Sequence, residues 1–366
     1  MSPTMRTSRE IGAGKLRFRR SRRRRGGAPG RRPKRRRRLG VALRLVAWPL
    51  AIACLVVSLF ARFPPDSETT LAHYANVASS FVAPLFVVAA SLALLTLALR
   101  FWACLVVATA SLVVCGWAVL SVPRQHSTGA PTVGQIPVRV LHWNVRHSNR
   151  DPEPLVELLV RHEPDVVILL ETFGSMHVAL REDPRIGSRY PYRLTPRNVG
   201  KGMRVILSKH PLRGADDWSP PDRAEGPAYA IAEMHGVSVG LMAIHPLSPR
   251  TPENAATGRR SVRASATLLD ERFGPTTPVV LGADLNASPT SARARSLYES
   301  TSLRPSKPLV RFDGTWPAGV AGPLRVAIDD VWTRGPFRVI EWTTLDTAGG
   351  SDHRPVLVDL ALDLSP

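Results

Sequence analysis

Three apolar runs, residues 45–61, 77–99 and 101–122, constrain this chain more than any other feature, because each is long enough to cross a bilayer. Only Arg100 parts the last two. Read as one helix, residues 77–122 would extend roughly 69 Å at the standard rise, far beyond the ~30 Å hydrocarbon core. Two passes joined by a tight turn at Arg100 are therefore expected. A cleaved signal peptide does not fit, since the spans are too many and the basic region before them is too long.

Charge sets the orientation. The net charge is +20, but 17 of the 49 Lys and Arg lie in residues 1–40, against the single acid Glu10. From residue 123 onward 29 basic residues face 26 acidic ones, which leaves +3. The Arg-rich tail lacks an apolar period and is expected to be disordered. It reads first as a topology signal and as a partner for anionic inner-leaflet lipids; nucleic acid is the less favoured partner. With the tail and the Arg100 turn in the cytoplasm, and Asp66 and Glu68 in an external loop, the remainder is expected outside the cytoplasmic membrane. Cys54, Cys104 and Cys115 all lie in the apolar runs, so the soluble part has neither a disulfide framework nor a cysteine metal site. The expected organisation is a disordered tail (1–43), three transmembrane helices (44–122), a linker (123–136) and one soluble domain (137–366).

The soluble part alternates strands and helices. Strands are expected at 138–145, 165–170, 205–207, 229–233, 237–244, 278–282, 326–332, 337–344 and 355–362, with helices at 153–162 and 255–271. Nearly every reactive side chain follows an apolar run, and rigid strands ending in short loops are a good way to converge polar groups. Asn144 ends the first strand. Glu171 ends the most apolar one, where a carboxylate is costly unless a cation or hydrogen bonds compensate it. Asp284 and Asn286, two apart in an extended segment, share a face and suit a water and a phosphoryl oxygen. Asp329 and Asp330 fall within a strand, and Asp329 suits an imidazole partner such as His353. His245 ends another strand. Asp352 and His353 open the last one. Taken singly, Asn144 reads equally as a turn residue, His245 as a structural histidine, and Asp352-His353 as a surface turn.

In this order the clusters His142-Trp143-Asn144, Leu170-Glu171-Thr172, Gly202 to Leu212, His245-Pro246, Gly282 to Asn286, Ile328-Asp329 and Ser351 to Val356 resemble the endonuclease/exonuclease/phosphatase superfamily, over roughly residues 136–364. The resemblance implies a DNase-I-like four-layer α/β sandwich preceded by the three helices, with one Mg²⁺ or Mn²⁺ in its cleft. It implies metal ligation by Glu171 with Asn144 and Asp352 near the ion, and positioning of water and phosphate by Asp284 and Asn286. It also implies proton transfer or transition-state stabilisation by His353 paired with Asp329, and a phosphate contact from His245. The general base stays open, as does Asp329 against Asp330. An all-oxygen ligand set suits a hard cation better than zinc.

Three functions fit: a phosphatase or phosphodiesterase at the outer membrane face, a tethered nuclease, and a silent binding module whose active part is the tail. The domain's near-neutral charge disfavours a nuclease, which gains affinity from a basic groove. The tail, spans and external domain together resemble the teicoplanin-resistance membrane proteins of actinobacteria, the VanJ type. That resemblance implies hydrolysis of undecaprenyl pyrophosphate or a related lipid carrier.

Overall fold

Strands that are apolar on one or both faces bury them only against another layer, and here they do so in two sheets covered by helices. The computed structural model describes residues 33–63, 69–124, 130, 134–195, 203–217, 226–309, 311, 313–346 and 349–363. The described residues from Val46 onward form one compact unit, apart from those before it. The first 32 residues, Asp66, Glu68, Gly202 and most of the expected linker lie outside the described residues.

The first helices are α1 (Pro33–Arg62), α2 (Thr70–Ala78), α3 (Val82–Ala98) and α4 (Trp102–Leu120). Residues 33–43, expected to be disordered, are helical. Three stretches, Val41–Arg62, Thr70–Ala98 and Trp102–Leu120, are long and apolar enough to cross a membrane. α3 and α4 fold back on each other through the turn expected at Arg100, which takes φ 54°. Packed on each other and on α1, they bury small side chains (Ala89, Ala108, Cys104, Cys115) and leave Leu94, Val106, Val113 and Leu120 outward. This inverts water-soluble packing: small residues let the helices approach, while the large apolar ones face what would be lipid. The structure differs at the start of the second run. A 3₁₀ turn, Ser79–Phe81, separates α3 from α2, and Thr69 caps α2 by accepting the Ala72 amide at 3.2 Å.

The α/β part then follows as β1 (Gln135–Asn144), α5 (Glu153–His162), β2 (Val166–Leu170), α6 (Ser175–Glu182), α7 (Pro184–Arg189), β3 (Tyr192–Leu194), β4 (Val205–Ser208), β5 (Leu212–Asp217), β6 (Ala228–Met234), β7 (Val237–Ile244), α8 (Pro252–Phe273), β8 (Val279–Asp284), α9 (Ala292–Thr301), β9 (Arg304–Pro305), β10 (Asp329–Arg334), β11 (Phe337–Thr344) and β12 (Val356–Asp363). One six-stranded sheet has the order β11-β12-β1-β2-β4-β3 and the other β5-β6-β7-β8-β10-β9. Between them Val140, Ile168 and Leu170 meet Leu241, Val280 and Val331. Leu155 and Leu159 of α5 cover the first sheet and Leu269 and Leu297 of α8 and α9 the second. These are the four layers that the sequence implied.

Topology gathers the polar clusters. The parallel pairs β1–β2 and β7–β8 lie inside their sheets. Their C-terminal ends carry Asn144, Glu171, His245 and Asp284. β10 runs antiparallel to β8 with Asp329 opposite Asp284, and β12 runs antiparallel to β1 with Val356 opposite His142. The expected strand 326–332 begins only at Asp329, because Val326 bridges to Trp316 instead. The acids therefore start that strand rather than interrupt it. The loop from β8 to α9 is tied to the turn between α2 and α3: the Ser288 amide donates to Ser80 Oγ at 3.3 Å and Thr290 Oγ1 donates to the Ser79 carbonyl at 2.8 Å.

The sheets approach closely at Gly282, where an added Cβ would lie 2.6 Å from Ile168 Cγ2 and 2.9 Å from His142 Nδ1. Gly282→Ala is expected to cost about 1–3 kcal/mol through overpacking. A denaturant titration of the two proteins would check this, and equal midpoints would contradict it.

Candidate active site

The strand ends converge on three carboxylates. Glu171 directly follows β2 in a left-handed conformation, φ 57°, which turns its side chain back over the strand tips. Its Oε1 accepts from Asn144 Nδ2 and His245 Nε2, both at 3.0 Å. Its Oε2 accepts from the His147 amide at 2.9 Å and His147 Nδ1 at 2.8 Å. Burial opposes its ionisation, but His245, the His147 amide and Asn144 outweigh that and hold Glu171 well below the usual carboxylate range. Asn144 donates a second hydrogen to Asp284 Oδ2 at 3.0 Å, so one buried amide bridges two acids.

Asp284 and Asp329 face each other across β8 and β10. Burial and the neighbouring Asp329 charge raise Asp284, while burial of Asp329 is outweighed by His353, which lowers it. His353 Nδ1 donates to Asp329 Oδ2 at 2.8 Å and lies 3.8 Å from Asp284 Oδ2. Burial disfavours its imidazolium, yet the Asp329 and Asp284 charges raise its pKa to about 10. His245 places Nδ1 at 3.3 Å from the Asp284 carbonyl, so both its nitrogens face oxygen acceptors. Asn286 does not continue β8. It takes φ 47°, its amide donates to Asp284 Oδ1 at 2.8 Å, and its Nδ2 donates to the Pro246 carbonyl at 3.1 Å. Its place beside Asp284 thus comes from a side-chain-closed turn rather than from strand alternation.

Strand alternation also separates Asp329 from Asp330. Asp330 points away from the cleft, where Trp342 Nε1 donates to it at 2.9 Å and the Lys307 amide at 3.1 Å. Burial pushes its carboxyl up to about 7 despite those bonds. Asp329 is therefore the imidazole partner. Asp352 lies at the rim: its side chain is 43% exposed, 3.7 Å from Arg146 Nε, and accepts weakly from Trp316 Nε1 at 3.4 Å.

Sequence reasoning passed over two histidines. His142, mid-strand in β1, is fully buried with Nδ1 3.1 Å from the Ile168 carbonyl and Nε2 3.9 Å from Asp329 Oδ1. Desolvation lowers its pKa to about 4, which leaves a neutral ring behind Asp329. His147 covers Glu171 from a loop with no strand signal. Only its closeness to Asn144 in the chain could have flagged it.

The donor chemistry fits a hard divalent cation. Asp284, Asp329 and His353 offer ligand atoms within 4.8 Å of one another. Asp329 Oδ1 is buried with no hydrogen-bond partner among the described residues, and Glu171 is joined to this group through Asn144. Crowded acids of this kind, offset by imidazoles and neutral amide donors, are what a cation would relieve. Asp352, expected near such an ion, stands apart from this cluster at the rim.

Residues 141–353 match the sequence pattern described as the Endonuclease/Exonuclease/phosphatase family. Among solved structures, that of D. rerio TDP2 complexed with single-strand DNA product superposes with a TM-score of 0.50 at 15% identity, covering 61% of this chain and 98% of that one. An endonuclease/exonuclease/phosphatase family protein from Bacteroides thetaiotaomicron gives 0.49 at 16% identity, with 63% and 99% covered. The human Nocturnin catalytic domain with bound sulfate gives 0.47 at 15%, with 61% and 94% covered. No curated protein sequence matches. At such identities the likeness to TDP2 concerns the fold.

The two aspartates make distinguishable predictions. Asp329→Asn should lower the His353 titration midpoint by about 1–3 pH units, because it removes the nearest negative charge. Asp330→Asn should leave that midpoint in place. Histidine NMR of the metal-free protein reads both, and the reverse pattern would reassign the partner.

Proposed function

The chain belongs to the endonuclease/exonuclease/phosphatase family, and from that we propose a membrane-anchored, Mg²⁺- or Mn²⁺-dependent phosphoester hydrolase acting on a lipid-linked pyrophosphate. Undecaprenyl pyrophosphate is the proposed substrate, with a contribution to teicoplanin resistance. One observation carries the lipid reading. The loop that holds Asn286 is hydrogen-bonded to the Ser79–Ser80 turn of a helix apolar enough to cross a membrane. A cleft fixed this way stays at the bilayer surface, where a lipid headgroup is delivered and a soluble polymer is not. The domain's charge of +3 supports the same choice against a nuclease, which needs a basic track for the backbone.

In this reading Glu171, Asn144 and the Asp284–Asp329 pair hold the cation. When bound, it neutralises phosphoryl charge and makes phosphorus more open to attack. Asp284 and Asn286 orient the water. His353, kept in place by Asp329, carries a hydrogen-bond donor toward the charge that develops on the phosphoryl oxygens. His245 meets the phosphate from the other side. Asp352 closes the rim. The N-terminus lies in the cytoplasm with the tail against anionic inner-leaflet lipids, and the cleft lies outside.

Glu171→Ala, Asp284→Ala and His353→Ala should each cut phosphate release from undecaprenyl pyrophosphate by about 10²-fold or more, with the circular dichroism spectrum unchanged. Chelation should abolish release, and Mg²⁺ or Mn²⁺ should restore it. Full activity in all three variants would refute the site. Supercoiled plasmid belongs in the same assay, since nicking without phosphate release would favour the nuclease.

Orientation has its own test. Alkaline phosphatase fused after Val122 should be active; a well-expressed but inactive fusion would put the domain in the cytoplasm.

A further inference from the structure

A cavity of 220 Å³ adjoins the cleft, walled on one side by α2 and the Ser79–Phe81 turn and on the other by the α/β domain. Asn286 and Trp316 belong to its wall, and both also touch the cleft, Asn286 through Asp284 and Trp316 through Asp352. Val77, Phe81 and Ile328 give the cavity an apolar surface, while Arg250, Arg259 and Arg293 line it with no carboxylate among the lining residues. Arg293 is committed to the protein, donating to the Leu247 and Leu285 carbonyls at 3.2 and 2.7 Å. Arg250 and Arg259 remain to face a ligand. On the opposite wall His73 is only 7% exposed, and its Nδ1 has no hydrogen-bond partner among the described residues. A buried polar atom left so is costly unless a ligand meets it.

A second cavity, of 340 Å³, shares Ser80 and Val326 with the first. Ala83, Phe86, Gly116 and Leu120 of the α3–α4 hairpin form one side of it. The two spaces therefore run from the edge of the cleft to the outward end of the apolar hairpin. Cationic at the first cavity, and bounded in the second by the apolar helix wall on one side and by Arg124, Lys307, Arg311, Asp313 and Arg325 among its other residues, such a path fits an amphiphile whose phosphate sits among arginines and whose chain lies on helix surface.

We propose that these cavities hold the part of the substrate that survives hydrolysis, a polyprenyl monophosphate. Arg250, Arg259 and His73 grip its phosphate, and Val77 and Phe81 guide its chain past Ser80 to the hairpin. This rests on the lipid-pyrophosphate reading and adds to it a leaving-group site built partly from α2. The bond formed joins the water oxygen to the terminal phosphorus. The bond broken runs from that phosphorus to the bridging oxygen, which stays on the lipid phosphate. Of the two water protons, one stays on the released inorganic phosphate and the other passes to the leaving lipid phosphate or to solvent.

The full chain in lipid nanodiscs, given a diazirine-bearing polyprenyl monophosphate, supplies the test without turnover. Photolabel is expected in peptides containing residues 70–81 and Trp316, and excess unlabelled polyprenyl monophosphate should displace it. Arg250→Ala and Arg259→Ala should each weaken that binding about tenfold, the loss of one charge-assisted hydrogen bond, and should raise KM for undecaprenyl pyrophosphate more than they change kcat. Label confined to the outer faces of α3 and α4, unchanged binding in both variants, or displacement by single-stranded DNA in preference to lipid would each overturn the proposal. A KM independent of prenyl chain length in the wild-type protein would overturn it as well while leaving lipid-pyrophosphate hydrolysis intact. Specific label without any phosphate release would keep this site and reject the proposed reaction.

Discussion

Mutual repulsion among Glu171, Asp284 and Asp329 is the constraint around which the α/β domain is organised. Three carboxylates in a water-poor cleft would protonate or force it open unless donors meet them. Asn144 answers two at once, His245 and His147 hold Glu171, and His353 sits between the aspartates. Asn144, His245 and His353 are held in place, because each lies at the tip of a strand paired on both sides or in the short turn beside it. The close approach of the sheets at Gly282 serves the same end, setting His142 behind Asp329 where no water can screen it.

Much of this was readable in advance, for an identifiable reason. Strands buried on both faces, such as β2 and β8, appear as unbroken apolar runs, and the polar residue that ends each one is conspicuous. The sequence could therefore place Asn144, Glu171, His245, Asp284 and His353 at one edge. Features that depend on backbone angle or on the path of a loop were less legible. Asn286 reaches its position through a left-handed turn that a two-residue period does not predict. The choice between Asp329 and Asp330 needed the point at which β10 begins, which Val326 fixes by pairing with Trp316. His142, though part of the first cluster, was given no role, because a histidine inside an apolar strand resembles any other core residue. Asp352 looked equivalent to its neighbour, yet the turn before β12 points it toward Arg146 and Trp316.

The helical part shows the same division. Apolar length identified the three long stretches and the turn at Arg100, since both follow from composition alone. That α2 would break from α3 and stand against the domain could not be seen, because Ser79 and Ser80 look like ordinary small residues of a membrane helix. Their partners, Ser288 and Thr290, lie some two hundred residues away in the chain.

That junction makes the cleft responsive to its surroundings. α3 and α4, with 17 and 19 residues, are about 26 and 29 Å long, close to the thickness of a hydrocarbon core. In a bilayer a little thicker or thinner the hairpin must tilt to match it. The turn at Ser79 and Ser80 would then shift with it and pull on the loop that bears Asn286. Acyl-chain composition would then reach the turn at Asn286 as mechanical load, through the hydrogen bonds that Ser288 and Thr290 make with Ser79 and Ser80.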